Sequence, residues 1–197
     1  MLEVLKSGFQ TTIQDLGRFN FQEFGMPISG VMDIDAYLFA NWLVGNKNRE
    51  AVLEVAMIGP ELKFHTDTYI GITGAILNPK INGNDIAMYK TVKVNAGDIL
   101  SFGKLQAGLR TYIAFAGGFQ IKMNLGSYAT YAYAEVGGVN GKALQKGDFI
   151  AIKEMKNIEE KKVAKKNQLS YTTTLTLRVL PSIEFKLFTE ESKKIFF

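Results

Sequence analysis

The sequence contains no cysteine and only one histidine, His65, among its 197 residues. Without cysteine, the chain can form no disulfide scaffold, Cys-based zinc site, iron–sulfur cluster or thiolate nucleophile, and a reducing compartment is favoured. One histidine cannot build a His-rich metal cage, so we expect no metal site. A Ser-His-Asp site would have to use His65, which disfavours most hydrolytic chemistry of that type.

Long apolar runs are also missing, since none approaches the roughly 18 residues that span a bilayer. The first residues lack a basic segment followed by an apolar core, which is the pattern of a secretory signal. We therefore expect a soluble, cytoplasmic protein that does not bind membranes.

The charge of the chain is basic in one place only. The net charge is +4, and residues 153–166 contain six lysines and three glutamates. Because most of the basic excess lies in this one stretch, and because no aromatic residues are interleaved with it, nucleic-acid binding is disfavoured.

What the sequence has is 47% apolar residues arranged in short runs bounded by Gly, Asn and Asp. Many short runs with turn signals between them predict a mainly β fold, either a sandwich or a barrel. The predicted strands are 2–5, 51–58, 61–64, 69–72, 91–94, 99–102, 111–116 and 149–152.

One helix and one repeated turn are predicted within this β pattern. Asp33 is a suitable N-cap, the apolar row Ile34, Leu38 and Trp42 follows at helical spacing, and Gly45 with the next asparagine is a stop signal. The stretches 96–100 (AGDIL) and 146–150 (KGDFI) resemble each other, which predicts a shared turn type rather than a duplicated unit.

We predict three regions along the chain. Residues 1–152 form the β domain, and residues 153–170 form a charged linker or an exposed helix. Residues 171–197 begin a second, incomplete half-domain, with an alternating strand through Leu175, Leu177 and Val179 and a helix capped by Thr189. One strand and one short helix cannot bury a core alone, so this region is either truncated or completed by another chain.

The densest cluster of unusual residues lies in two glycine-containing loops and comprises Gln14, Asp15, Arg18, Ser29 and Asp33. Glycine-rich loops let polar side chains and backbone N–H groups face a small ligand. Arg18 could hold a carboxylate or phosphate through two parallel hydrogen bonds. Alternatively, Asp15 and Arg18 pair with each other and tie down a loop.

Glu54 is a carboxylate inside an apolar run, so it either faces solvent on an alternating strand or is withdrawn from water as a site residue. Alternation places His65 on the polar face of its strand, which predicts a solvated histidine. The glycines and hydroxyls of 116–130 and 137–142 could approach a phosphate or carboxylate. They form no P-loop, because Val136 stands where its first glycine should be and Ala143 follows the lysine.

Ten short blocks, read together, resemble the biotin-dependent carboxyltransferase family. This family includes allophanate hydrolase subunit 2, the carboxyltransferase part of urea carboxylase, the C-type subunit of 5-oxoprolinase and the antagonist of a sporulation-kinase inhibitor. The blocks follow the family's order over about 150 residues. They are 11–18 (TTIQDLGR), 29–33 (SGVMD), 40–46 (ANWLVGN), 53–54 (LE), 59–62 (GPEL), 82–83 (NG), 108–112 (GLRTY), 116–118 (AGG), 125–127 (LGS) and 146–148 (KGD).

The resemblance implies a cyclophilin-like β-barrel with one or two short helices, followed by the start of a second half-domain. It implies a C-type subunit of an ATP-dependent 5-oxoprolinase complex, which would work with a B-type subunit of related fold and with an A-type subunit to convert 5-oxoproline to glutamate. One alternative is a carboxyltransferase that takes carboxybiotin from a separate carrier and acts on urea-like amides. Another is a non-catalytic regulatory partner of a kinase inhibitor.

Residue roles follow from the same resemblance combined with side-chain chemistry. Glu54 is the candidate acid/base, Gln14 and Asp15 orient the reacting amide, and the remaining positions bind substrate. The expected substrate-binding residues are Arg18, Ser29, Asp33, Arg110, Gly117, Gly118 and Ser127.

Overall fold

Eleven strands form two antiparallel sheets in the computed structural model, which describes residues 1–47, 49–155 and 158–196. The strands are β1 (Leu2–Lys6), β2 (Gln10–Gln14), β3 (Val52–Ala56), β4 (Glu61–Phe64), β5 (Thr68–Ile76), β6 (Pro79–Ile81), β7 (Asn84–Asp85), β8 (Thr91–Val94), β9 (Ile99–Phe102), β10 (Ala107–Phe115) and β11 (Phe149–Ile150). The helices are α1 (Ile34–Leu43) and α2 (Glu190–Phe196), with 3-10 turns at Gln22–Phe24, Lys165–Asn167 and Ile183–Leu187.

The two sheets enclose the main core. One has the order β11-β1-β4-β9-β6-β7 and the other β2-β3-β10-β5-β8. Their facing sides supply one buried apolar cluster, in which Val4 and Phe64 of the first sheet belong with Leu53 and Ile113 of the second. The prediction of a mainly β fold with short helices is confirmed, because every apolar run predicted as a strand contains one.

Helix α1 packs on the outer face of the second sheet. As predicted, Asp33 caps it by accepting a hydrogen bond of 2.9 Å from the Ala36 amide. The apolar row predicted for this helix nevertheless faces outward, since Ile34 is 55% and Trp42 47% exposed. The helix instead buries Ala36, Tyr37, Ala40 and Leu43, and it approaches β5 so closely that a Cβ at Gly71 would lie 2.7 Å from the carbonyl oxygen of Ala40.

The two similar turns share one geometry, as predicted. Gly97 and Gly147 have φ values of 94° and 91°, in the left-handed region that glycine enters without strain. The carboxylate of the following aspartate, Asp98 or Asp148, accepts a hydrogen bond from the amide three residues before it, at 2.8 and 2.7 Å.

The region after residue 152 differs in two ways from the linker and strand predicted for it. The segment predicted as a linker runs along the edge strand β8, where the Lys161 amide donates to Thr91 Oγ1 at 2.9 Å and Val163 is buried. Residues 172–181 form no strand, and Leu175 and Leu177 are 75% and 73% exposed, since no described strand pairs with them. The division into half-domains stays a prediction.

Helix α2 begins where predicted, since Thr189 Oγ1 accepts a hydrogen bond of 3.2 Å from the Ser192 amide. Among the described residues, no helix is long and apolar enough to cross a membrane.

Candidate functional site

A row of polar residues crosses the outer face of the second sheet, beside the start of α1. Thr12, Glu54, Tyr112 and Thr73 are register partners on β2, β3, β10 and β5. Partners in register project to the same side of a sheet, and successive residues alternate between sides. Arg110 lies two residues before Tyr112, so it joins the same face.

Glu54 is the centre of this row. Its Oε1 accepts a hydrogen bond of 3.1 Å from Arg110 Nε. Its Oε2 accepts one of 2.8 Å from the Tyr112 hydroxyl and one of 2.9 Å from the Met32 amide. Only 11% of the Glu54 side chain is exposed. The Glu54 side chain is therefore largely withdrawn from water, whereas its role as a site residue stays a prediction, and Arg110 balances its charge.

Asp33 links the helix cap to this centre. Its amide donates a hydrogen bond of 2.8 Å to the Tyr112 hydroxyl oxygen, and its Oδ2 accepts one of 2.7 Å from the Tyr171 hydroxyl. Burial first, and then the neighbouring Glu54 carboxylate, raises the pKa of Tyr112 far above its usual value. Burial and the hydrogen bond to Asp33 do the same to the pKa of Tyr171. Both phenols therefore stay protonated and act as donors.

An open groove of about 1220 Å³ borders this network. We call it the Arg110 groove, and its lining includes Asp33, Asp35, Leu109, Arg110 and Tyr171. Arg110 uses only Nε toward Glu54, so among the described residues its two Nη groups have no hydrogen-bond partner. A guanidinium edge with free donors is suited to a carboxylate.

Asp15 belongs to a second cluster that ties residues 127–130 to the end of β2. Its carboxylate accepts hydrogen bonds from the Gly17 amide at 2.8 Å, the Ser127 hydroxyl at 2.6 Å and the Tyr128 amide at 2.7 Å. Asp15 is only 4% exposed. All three donors belong to the loop segments that Asp15 joins, so this carboxylate is turned into the protein.

Arg18 is the largest fully buried side chain of this second cluster, at 1% exposure. It donates to Ser29 Oγ at 3.1 Å and to the Ala129 carbonyl, whereas the donors to the Asp15 carboxylate are Gly17, Ser127 and Tyr128. Burial lowers its pKa, and the nearby Asp15 carboxylate partly offsets this effect. The direct pair raised as an alternative is absent between these two residues, although each of them separately holds the loop.

Gln14 completes the second cluster. Its Nε2 donates to Thr12 Oγ1 at 3.1 Å and to the Thr130 carbonyl at 3.2 Å. Its Oε1 and the Nε of Arg18 are buried without a hydrogen-bond partner. Gln14 and Arg18 therefore face the protein and not the Arg110 groove.

The glycine-rich turns use their amides internally. The Gly117 amide donates to Asn46 Oδ1 at 2.8 Å, and the Gly118 amide donates to the Phe115 carbonyl at 2.9 Å. In the second glycine-rich stretch, the Gly138 amide donates to the Tyr128 carbonyl at 2.8 Å. A phosphate cradle needs several free amides that converge, and these three amides are not free.

The structure thus separates the predicted site residues into three places. Glu54, Arg110 and Asp33 share the first network, whereas Gln14, Asp15, Arg18, Ser29 and Ser127 form the second cluster, and Gly117 and Gly118 form a turn at the far end of β10. His65, predicted as solvated, lies on the surface 2.7 Å from Glu3.

Sequence reasoning missed the two tyrosines of the network. Alternation along β10 could have found Tyr112, because Arg110 and Tyr112 share a face. No local signal points to Tyr171, which contacts Asp33 across 138 positions of sequence.

Known proteins resemble this chain along most of its length. Residues 24–197 match the family model described as carboxyltransferase domain, subdomain A and B. Urea amidolyase of Saccharomyces cerevisiae is 39% identical over 162 residues, which is 80% of this chain and 9% of that protein. The C-type subunit of 5-oxoprolinase from Escherichia coli is 31% identical over 196 residues, which is 100% of this chain and 62% of that protein.

A solved structure shows the same fold. The crystal structure of the Kluyveromyces lactis urea carboxylase superposes with a TM-score of 0.89 at 33% identity, covering 100% of this chain and 19% of that one. The chain therefore spans only part of each of these three relatives.

Proposed function

Because the chain belongs to the carboxyltransferase domain family of subdomains A and B, we propose that it is a cytoplasmic C-type subunit of an ATP-dependent 5-oxoprolinase complex. Its partners would be a B-type subunit of related fold and an A-type subunit, and its substrate the cyclic amide 5-oxoproline. The similarity to the C-type subunit of 5-oxoprolinase extends over the whole chain, at 31% identity, and supports this choice.

The observation that carries the proposal is the free edge of Arg110 beside the buried Glu54. 5-Oxoproline carries a carboxylate next to its amide, whereas urea carries none. The unused Nη groups of Arg110 offer that carboxylate two parallel donors at the groove. Holding the carboxylate there would bring the ring amide close to Glu54.

Glu54 is then the acid/base of the site. Its Oε1 accepts a single hydrogen bond, from Arg110, and so keeps a lone pair for a proton. Tyr112 and the Met32 amide fix the other oxygen, so the carboxylate is held in one orientation. Glu54 would accept the proton of the attacking water and return it to the amide nitrogen as the ring opens.

When ATP is bound in such a complex, it activates the stable amide of the substrate. The amides of Gly117, Gly118 and Gly138 are already bonded within the protein, so these three glycines offer ATP no phosphate site. We assign the nucleotide to the partner subunits.

The second candidate is transfer of a carboxyl group from carboxybiotin to a urea-like amide. The 39% identity to urea amidolyase, higher than that to the C-type subunit of 5-oxoprolinase, favours it. In that reaction Arg110 would hold the oxygens of the migrating carboxyl group. These 197 residues contain no biotin-carrier motif, so a carrier outside them would present the carboxybiotin.

The test is glutamate release from 5-oxoproline by the full-length protein co-purified with the products of its neighbouring genes, with and without ATP. We expect ATP-dependent release that disappears when this protein is omitted. A stable complex that releases no glutamate would contradict the proposal. Incorporation of labelled bicarbonate into urea, in the presence of a biotin carrier, would instead support the second candidate.

A further inference from the structure

Tyr171 is a residue of the Arg110 groove for which the proposed reaction gives no role. It follows the segment that runs along β8, and it reaches across the groove to the cap of α1. We propose that Tyr171 is a positioning residue, which holds the acid/base Glu54 in its working orientation through Asp33 and Tyr112. This inference rests on the proposed function of Glu54.

The ring of Tyr171 packs against β10 at a glycine. A Cβ at Gly108 would lie 3.0 Å from the ring carbon Cγ of Tyr171 and 2.9 Å from the Cβ of Ala75, and Gly108 has a φ of 77°. The pairing of β10 with β5 is irregular between Ala107 and Thr111, at this same point. At the point where the Tyr171 ring packs, β10 therefore has no side chain and its register with β5 is irregular.

The hydroxyl of Tyr171 donates a hydrogen bond to the second carboxylate oxygen of Asp33. The first oxygen accepts a hydrogen bond of 2.9 Å from the Ala36 amide at the helix cap, and the second accepts one of 2.7 Å from the Tyr171 hydroxyl. With both oxygens engaged, the backbone at the start of α1 is fixed. The amide of Asp33 is therefore aimed at the Tyr112 hydroxyl oxygen, 2.8 Å away.

That amide decides where the proton of Tyr112 points. Because the Tyr112 oxygen accepts from Asp33, its own proton is directed to Glu54 Oε2, at 2.8 Å. The preceding amide, from Met32, donates to the same oxygen at 2.9 Å. Both hydrogen bonds to Oε2 thus depend on the stretch of backbone that Tyr171 braces.

Tyr171→Phe removes the hydroxyl and keeps the ring on Gly108, and Tyr133→Phe is the matched control, since Tyr133 is 90% exposed. In the active complex we expect Tyr171→Phe to lower kcat about tenfold, the effect of losing one hydrogen bond to a charged group. We expect KM to change less than about twofold, because Arg110 still holds the substrate. Tyr133→Phe should match the wild type in both.

Hydrogen exchange gives a second measurement that needs no turnover. The amides of Met32 and Asp33 should exchange faster in Tyr171→Phe than in the wild type. Their exchange rates should be unchanged in Tyr133→Phe. Wild-type kcat together with unchanged exchange in Tyr171→Phe would overturn the positioning role. A complex that is inactive with 5-oxoproline, but whose Met32 and Asp33 amides respond to the change, would overturn the proposed substrate and leave the bracing role standing.

Discussion

The Ser127 hydroxyl donates a hydrogen bond of 2.6 Å to the carboxylate of Asp15, joining two positions 112 residues apart in sequence. The same carboxylate holds the Tyr128 and Gly17 amides, so one side chain closes a long loop onto the end of β2. The family resemblance, combined with side-chain chemistry, assigns Asp15 to the reacting amide. Its three hydrogen bonds within the protein support a role in folding.

Asp15→Ala should therefore destabilise the protein strongly. It leaves one buried and two partly buried donors without an acceptor, and we expect a loss of about 3 kcal/mol in the free energy of unfolding, measured by urea denaturation. Asp85→Ala, which removes a carboxylate 79% exposed, should cost less than about 0.5 kcal/mol. Equal losses in the two variants would refute the anchoring role of Asp15.

Gly137 and Gly126 form a matched pair for the loop above Arg18. Their φ values are 76° and 73°, but a Cβ at Gly137 would lie 2.0 Å from the Ala129 carbonyl oxygen, whereas a Cβ at Gly126 meets nothing within 4 Å. We expect Gly126→Ala to cost about 1 kcal/mol, from backbone strain alone. Gly137→Ala should cost about 2 kcal/mol more, because backbone must move. Thermal unfolding of both variants tests the difference.

Strand positions were predictable because apolar runs and turn residues are local signals. The cap at Asp33 was predictable for the same reason. The packing face of α1 was not, since it depends on how closely the helix approaches Gly71 of β5. A helical row such as Ile34 and Trp42 shows that a helix forms, but the space beside the sheet decides which face is buried.

The candidate site was predicted only in part, because its residues meet through register. The resemblance named Glu54 and Arg110 separately, and strand pairing in the structure puts them on one face. Arg18 looked equally suited to an anion in sequence, yet it is buried beneath the 127–130 loop. Burial and long-range contacts such as that of Tyr171 have no signature in a single sequence.

Two buried tyrosines, Tyr37 of α1 and Tyr112 of β10, make stability sensitive to alkaline pH. Burial raises the pKa of Tyr37 and Tyr112 in the folded chain, and both are fully buried. Above about pH 10 the unfolded chain loses these protons while the folded chain keeps them, so stability is present below that pH and falls as the pH rises. Each tyrosine adds a slope of about 1.4 kcal/mol per pH unit.

Tyr112→Phe should accordingly reduce the loss of stability between about pH 10 and pH 11 relative to the wild type. Denaturation in urea at a series of pH values measures this loss of stability, and absorbance titration counts the tyrosines that ionise before unfolding. An unchanged pH slope in Tyr112→Phe would contradict the assigned burial effect. Tyr133→Phe, at an exposed position, should keep the wild-type slope.

The pair of Glu54 and Arg110 gives the sharpest test of the proposed reaction, because its two members should fail in different ways. Glu54→Gln keeps the shape and one of the two acceptor oxygens but cannot take a proton. We expect kcat for glutamate release to fall at least about 100-fold, with KM little changed. Glu61→Gln changes a carboxylate in a surface pair with Lys6 and should have no effect.

Arg110→Gln should act mainly on binding. It removes the free donors at the groove, and we expect KM for 5-oxoproline to rise about tenfold or more, because a charged contact to the substrate carboxylate is lost. It also leaves Glu54, which is 11% exposed, without its counter-charge, so a smaller fall in kcat should accompany the change. A neutral analogue with an amide in place of the carboxylate provides the deciding comparison. If the wild type binds that analogue as tightly as 5-oxoproline, Arg110 does not recognise a carboxylate, and the argument that favours 5-oxoproline over a urea-like amide fails.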